Sequence, residues 1–270
     1  MNLLLPWIRI AIAVLVYVVI ALAASVVIGR AGADLKQMES RVSPRVLAIG
    51  AIGNLCVLAS TLLLFAFVDR RPMSALGLSF SARDVLFGAG GTLLIFAFAG
   101  GFIAMMQQLG RLEVRLRNPA SGPGGGAVLA EGIVVLLVVA LQEEVLYRGY
   151  VTLNLLPFGP IVVIVTSTIL FAAIHVLTNR ASPAQIASWL AGGLLFAVIY
   201  LVSGSIWVPV LLHFAIDLSN MLVFNIAGQY SFAAISPSLS TRQLATFRAV
   251  CVAVLLIAAL GVYGTGMGLG

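Results

Sequence analysis

Six ionisable side chains occupy stretches of this chain that are otherwise mainly apolar. The segment LQEEVLYRGY at 141–150 carries Glu143, Glu144 and Arg148 and follows the apolar run GIVVLLVVA without a turn signal. The chain has two histidines, His175 in LFAAIHVLTN and His213 in VPVLLHFAIDLSN, and Asp217 lies four residues after the second. An acid at the centre of a bilayer costs about 2.5–3.5 kcal/mol on insertion scales, so such a group marks a functional site by default. The plainer reading is a structural ion pair with two histidines satisfied between helices.

Helix geometry sorts these groups. Glu144 and Arg148 are four residues apart, about 40° around a helix, with the acid on the N-terminal side as an ion pair prefers. Glu143 is turned by about 100° from Glu144 and about 140° from Arg148, so it must find its environment on another face. His213, Asp217 and Asn220 share one face at i, i+4 and i+7, and Phe171 and His175 pair in the same way. If the helix carrying Glu143 continues to about residue 156, the returning helices bring both histidines to a similar depth.

A lone carboxylate, two histidines and a second carboxylate in a partly dry chamber suit hydrolysis. Glu143 would take a proton from water attacking a peptide carbonyl. A neutral His175 or His213 would donate to the oxyanion or hold the water. No serine or cysteine adjoins either histidine, which leaves an acyl-enzyme without a nucleophile. Ser167 and Thr168 are expected to bond back to their own helix. Two histidines and a carboxylate also make an open zinc site, so zinc stays open as a cofactor although no His-Glu-x-x-His pair is present. Intramembrane acids and histidines serve proton relays too, but repeated halves with paired broken helices are missing.

The elements that must position these groups are membrane helices. Of 270 residues 61% are hydrophobic and 9% charged, with mean hydropathy +1.14, whereas soluble domains carry about 25% charged residues. Eight apolar runs, 7–29, 46–68, 85–107, 127–156, 160–178, 185–202, 205–227 and 245–265, predict an all-α polytopic protein with about eight transmembrane helices around an intramembrane chamber. Long continuous runs exclude a β-barrel. Glu131 is a further acid inside a run. The net charge of +6 reflects topology rather than nucleic acid, because its cations sit in short loops. Arg30, Lys36, Arg41, Arg45, Arg111, Arg115, Arg117, Arg180, Arg242 and Arg248 fall in odd-numbered loops and helix edges, which the charge rule places inside. Arg9, Arg70, Arg71 and Arg83 fall on the other side. Cys56 and Cys251 read as small buried hydrophobes, and the first run reads as a retained helix. The glycine-rich SGPGGGA at 121–127 divides a three-helix part, 1–120, from a core, 121–230, and a C-terminal helix, 231–270.

Glu143-Glu144-x-x-x-Arg148, Phe171-x-x-x-His175 and His213-x-x-x-Asp217, in this order on separate helices, resemble the three motifs of the CPBP (Abi) family. These are the CAAX-protease and bacteriocin-processing intramembrane endopeptidases, among them the type II CAAX prenyl endopeptidases that remove the last three residues of prenylated proteins. The resemblance implies eight helices, a chamber open to the cytoplasm and cytoplasmic termini, against the charge count. It implies that Glu143 activates water, that His175 and His213 are essential, and that Glu144 and Arg148 support the site. Asp217 stands where the prenyl endopeptidases have Asn, and an ionised Asp cannot donate to an oxyanion. It must be protonated, orient a histidine or bind a metal. Accounts of the family differ on metal dependence, so zinc stays open here as well. The expectation is a multi-pass endopeptidase of the cell membrane acting on a peptide or protein substrate, membrane-anchored or not, with the lipid bilayer as its other partner. A non-catalytic scaffold or bacteriocin-immunity protein, and a proton-coupled transporter, are the alternatives.

Overall fold

A computed structural model describes residues 4–30, 44–121, 125–178, 181–224 and 230–264. The loop charges Lys36, Arg41 and Arg180 and residues 122–124 of the glycine-rich stretch lie outside the described residues, as does the end of the last run at 265. The helices are α1 (Leu5–Arg30), α2 (Pro44–Leu63), α3 (Ala82–Gln108), α4 (Gly125–Glu144), α5 (Thr152–Leu155), α6 (Pro160–Thr178), α7 (Pro183–Ser203), α8 (Trp207–Leu222) and α9 (Thr241–Tyr263). A π-helical segment, Val145–Val151, joins α4 to α5, so one rod runs from Gly125 to Phe158. Among the described residues seven helices are long and apolar enough to cross a membrane, and α8 is a shorter apolar one. The chain is therefore an all-α, multi-pass membrane protein. Its outward surface agrees, with Leu15, Leu22, Leu93, Ile161, Leu177 and Ile257 all exposed.

The polar punctuation of the sequence sets the helix starts. Ser81 with Asp84, Ser182 with Gln185 and Ser240 with Gln243 form reciprocal capping boxes that open α3, α7 and α9. Each satisfies two backbone N–H groups that a helix start leaves orphaned. Pro157 and Gly159 (φ 91°) end the long rod and turn the chain into α6.

At 16 residues α8 is about 24 Å long, shorter than the run 205–227 had suggested; residues 225–227 lie outside the described residues. It packs against α3, α4 and α7. One core joins α3, α7, α8 and α9 through Phe87, Ile95, Leu195, Phe196, Leu212 and Leu255. A second joins α1, the end of α2, the π-helical segment and α6 through Ala13, Phe65, Tyr147, Tyr150 and Phe171. Polar ties hold the far end of the rod. Arg9 pairs with Asp69 at 3.0 Å, Asn154 Nδ2 donates to the same carboxylate at 2.8 Å, and Arg71 donates to the Leu153 carbonyl at 2.9 Å.

Gly77 sits at φ 72°, and a Cβ there would collide with the Gly204 carbonyl oxygen. Its own carbonyl accepts from the Ile206 N–H at 3.0 Å, which docks the loop after α2 against the start of α8. Only glycine meets both the conformation and the approach.

Several expectations change. Two four-residue strands, β1 (Glu113–Leu116) and β2 (Ala233–Ser236), pair antiparallel with Glu113 opposite Ser236. They link the segment before α4 to the segment before α9. Ser167 Oγ does not bond back to its own helix. It donates across to the Tyr147 carbonyl at 3.3 Å, which also accepts from Thr152 Oγ1 at 3.1 Å. Cys56 is exposed on α2 rather than buried, whereas Cys251 is buried. Arg248, counted with the loops and helix edges, lies about two turns inside α9.

Candidate active site

Glu143 and Glu144 are the last two residues of α4, directly before the π-helical segment. Such segments insert a residue into the helical register and recur at functional sites. Arg148 lies within it, and its Nε is 3.1 Å from Glu144 Oε2, with both side chains fully buried. Arg148 Nη2 also donates to the Gly193 carbonyl of α7 at 3.1 Å. The guanidinium lies over Phe171 at 4.8 Å, Phe196 at 5.4 Å and Tyr147 at 5.6 Å. Gly193 allows this because α7 there runs against α6: a Cβ would stand 3.1 Å from Thr168 Cα.

The other oxygen of Glu144 has a second partner. Oε1 is 2.8 Å from His213 Nδ1. Glu144 therefore links Arg148 of the same rod to His213 of α8, and its expected local pairing is half of its role. His213 stacks on Phe196 at 4.9 Å and 18°. His175, on α6, rests between Phe171 at 4.6 Å and Trp189 at 5.1 Å.

Glu143 makes no ion pair with Arg148 among the described residues. Its Oε2 is 3.9 Å from His175 Nε2 and 3.8 Å from His213 Nε2, and it has no hydrogen-bond partner among the described residues. Asp217 Oδ2 is 3.5 Å from the same His213 nitrogen. The site thus gathers all six residues, and the depth match that depended on a long fourth helix holds.

Partners fix which ring nitrogens carry hydrogen. The Phe171 carbonyl can only accept, and it lies 2.8 Å from His175 Nδ1. Nδ1 of His175 is therefore a donor, and Nδ1 of His213 donates to the carboxylate of Glu144. In the neutral form each ring then presents an Nε2 lone pair toward Glu143. With these tautomers a donor to an oxyanion would have to be an imidazolium, which alone carries an Nε2–H.

These groups line a cavity of about 140 Å³, room for several water molecules. Side-chain exposure falls from 29% at Asp217 and 20% at His175 to 9% at Glu143, 7% at His213 and none at Glu144 and Arg148. Glu143 meets the cavity, and the Glu144–Arg148 pair stands behind its wall. Ser188, Trp189, Asn220, Arg248 and Cys251 complete the polar and polarisable lining. Asn220 was legible from its place on the His213 face. Trp189 and Arg248 were not.

The two Nε2 lone pairs with Glu143 are chemically a zinc donor set. Among the described residues, however, no three His, Cys, Asp or Glu side chains are arranged to hold a metal ion.

The segment 125–219, from the start of α4 to the last turn of α8, matches a family model described as type II CAAX prenyl endopeptidase Rce1-like. No curated protein and no solved structure matches the chain.

Proposed function

From the match of residues 125–219 to the type II CAAX prenyl endopeptidase Rce1-like family model, we propose that this chain is an intramembrane endopeptidase of CAAX-protease type and that Glu143 is the base that activates water for peptide hydrolysis. The observation that carries this reading is the position of Glu143 Oε2, unpartnered and 3.8–3.9 Å from two imidazole nitrogens. Those gaps exceed a hydrogen bond and are within reach of a single water touching all three groups.

Glu143 takes one proton of that water while its oxygen bonds to the substrate carbonyl carbon. The carbonyl π pair moves onto oxygen, and a histidine in the imidazolium form donates its Nε2–H to that oxyanion. Collapse of the intermediate breaks the C–N bond, and the proton held by Glu143 passes to the departing nitrogen. The products are a carboxylic acid and an amine, with Glu143 again ionised. Glu144 and Arg148 act as positioning residues: the pair fixes Nδ1–H of His213 and so aims Nε2 at Glu143. Asp217, 3.5 Å from Nε2, orients the same ring when it is an imidazolium. The substrate is a peptide or protein segment, presented from the bilayer or the adjoining water.

The test is cleavage of a panel of fluorogenic peptides, with and without a lipid anchor, by the full chain in detergent. Glu143→Gln keeps the shape of the side chain and removes the base, so kcat falls by about 10²–10⁴-fold. Wild-type turnover by Glu143→Gln would overturn the mechanism.

A further inference from the structure

Outside the reaction chamber, a groove of about 580 Å³ runs between α3 and α9. Gly90 and Leu94 of α3 and Leu255, Ala258 and Val262 of α9 line it, and Arg83 stands at one end. Leu86 and Val262 in its wall are exposed, so the groove opens outward, toward hydrocarbon. Glycine leaves the space open, since a Cβ at Gly90 would meet no atom within 4 Å. Arg83 forms no ion pair among the described residues, and its guanidinium lies 5.9 Å over the ring of Tyr263. The neighbouring acid is committed elsewhere. Asp84 is buried and accepts from the Ser81 N–H at 3.0 Å and from the Tyr263 hydroxyl at 2.9 Å.

Level and length say what fits. Trp207 opens α8 and Tyr263 closes α9 at the end of the bundle where α3 begins, and such aromatic side chains gather at headgroup depth. From Arg83 to Leu94 the groove follows α3 for about 16 Å, close to half of the roughly 30 Å hydrocarbon core of a bilayer. A membrane-spanning segment of another protein, or of a second copy, needs about twice that length. One acyl chain of a single leaflet ends there. An apolar slot of one-leaflet depth with an unpaired cation at headgroup level is complementary to a lipid of negative charge. We propose that α3 and α9 bind one anionic phospholipid, its phosphate on Arg83 and an acyl chain in the groove past Gly90. The site backs onto the chamber wall: Leu94 and Leu255 line the groove, while Ile95 of α3 and Cys251 and Val252 of α9 line the cavity. The bound chain thus packs the outer side of that wall, whatever chemistry Glu143 performs inside it.

The test is binding rather than cleavage. The full chain in detergent, stripped of lipid, is titrated with phosphatidylglycerol or with phosphatidylcholine of identical chains, and the first bound lipid is followed by native mass spectrometry. Wild type binds phosphatidylglycerol about fivefold more tightly, the contribution of one cation to an anionic headgroup. In Arg83→Gln the ratio falls to near one, and Arg83→Lys keeps it. Gly90→Leu fills the groove, leaves Arg83 in place and weakens both lipids by at least about fivefold. Ala258→Leu, on the facing helix, does the same and serves if Gly90→Leu does not fold. Glycerol 3-phosphate, which offers the charge without the chain, does not compete. Equal affinity for the two lipids in wild type, or a preference that survives in Arg83→Gln, would overturn the proposal, as would wild-type binding by the groove-filling variants. Competition by glycerol 3-phosphate at the concentration of the lipid would reassign Arg83 to soluble anions and overturn it likewise. Unfolding followed by tryptophan fluorescence gives a second reading: phosphatidylglycerol raises the midpoint of wild type more than that of Arg83→Gln. An equal rise in both also overturns the proposal.

Discussion

Arg148 offers the sharpest test of how the site is held. The perturbation is Arg148→Met, which keeps the length and much of the packing over Phe171 and Phe196 but removes the charge. In the native protein Arg148 bonds Glu144 at 3.1 Å and the Gly193 carbonyl at 3.1 Å, both side chains of the pair being fully buried. Removing one partner of a buried pair leaves the other charge uncompensated and costs about 3–5 kcal/mol. Adding Glu144→Gln removes that charge, while the amide oxygen can still accept from His213 Nδ1. The double variant should therefore recover about 2 kcal/mol relative to Arg148→Met and regain part of its cleavage. The assay is reversible unfolding in mixed micelles followed by tryptophan fluorescence, with peptide cleavage on the same samples. If Arg148→Met unfolds like wild type, or the double variant is no more stable than the single, the pairing argument is wrong.

Two further outcomes follow from the same geometry. Peptide cleavage should persist within about twofold after prolonged chelator treatment, since no metal-dependent step enters the mechanism; loss restored by zinc would reinstate the metal reading. Gly193→Ala should cost about 1–3 kcal/mol and lower activity, because the new Cβ stands 3.1 Å from Thr168 Cα and pushes away the carbonyl that Arg148 uses. Gly192→Ala, with its nearest neighbour at 3.8 Å, is the control and should unfold like wild type.

The catalytic candidates were readable because charge inside an apolar run is costly and therefore conspicuous. Glu143, Glu144, Arg148, His175, His213 and Asp217 stand out against their flanks, and helical spacing alone separates Glu143 from the Glu144–Arg148 pair. The membrane helices were readable for the same reason. Hydropathy carries no mark of an extra residue in a helical turn, so the π-helical segment at Val145–Val151 was not visible. The pairing of β1 with β2 depends on the packing of α3 and α9 and not on strand composition. Ser167 illustrates the limit of local rules: its hydroxyl has an acceptor within its own helix and uses one across the interface. Arg248 resembles any topology-setting cation by sequence, and only the packing of α9 against α7 and α3, which brings it to Asn220, gives it a place on the cavity wall. The hydrogen on each Nδ1 is likewise a property of partners, Phe171 O and Glu144, that meet the rings only in the fold.

The pairing of β1 with β2 also has a mechanical side. Chain leaving α3 meets chain entering α9 through Glu113–Leu116 and Ala233–Ser236, and Arg117 adds bonds to the Phe232 and Ser231 carbonyls at 3.0 and 2.7 Å. A lateral load on the first three helices, such as a change in bilayer thickness, has a short covalent and hydrogen-bonded path to α9 in addition to helix packing. The first three helices also pack directly on the rod and on α8, so such a load would reach the carboxylate-bearing rod together with α9.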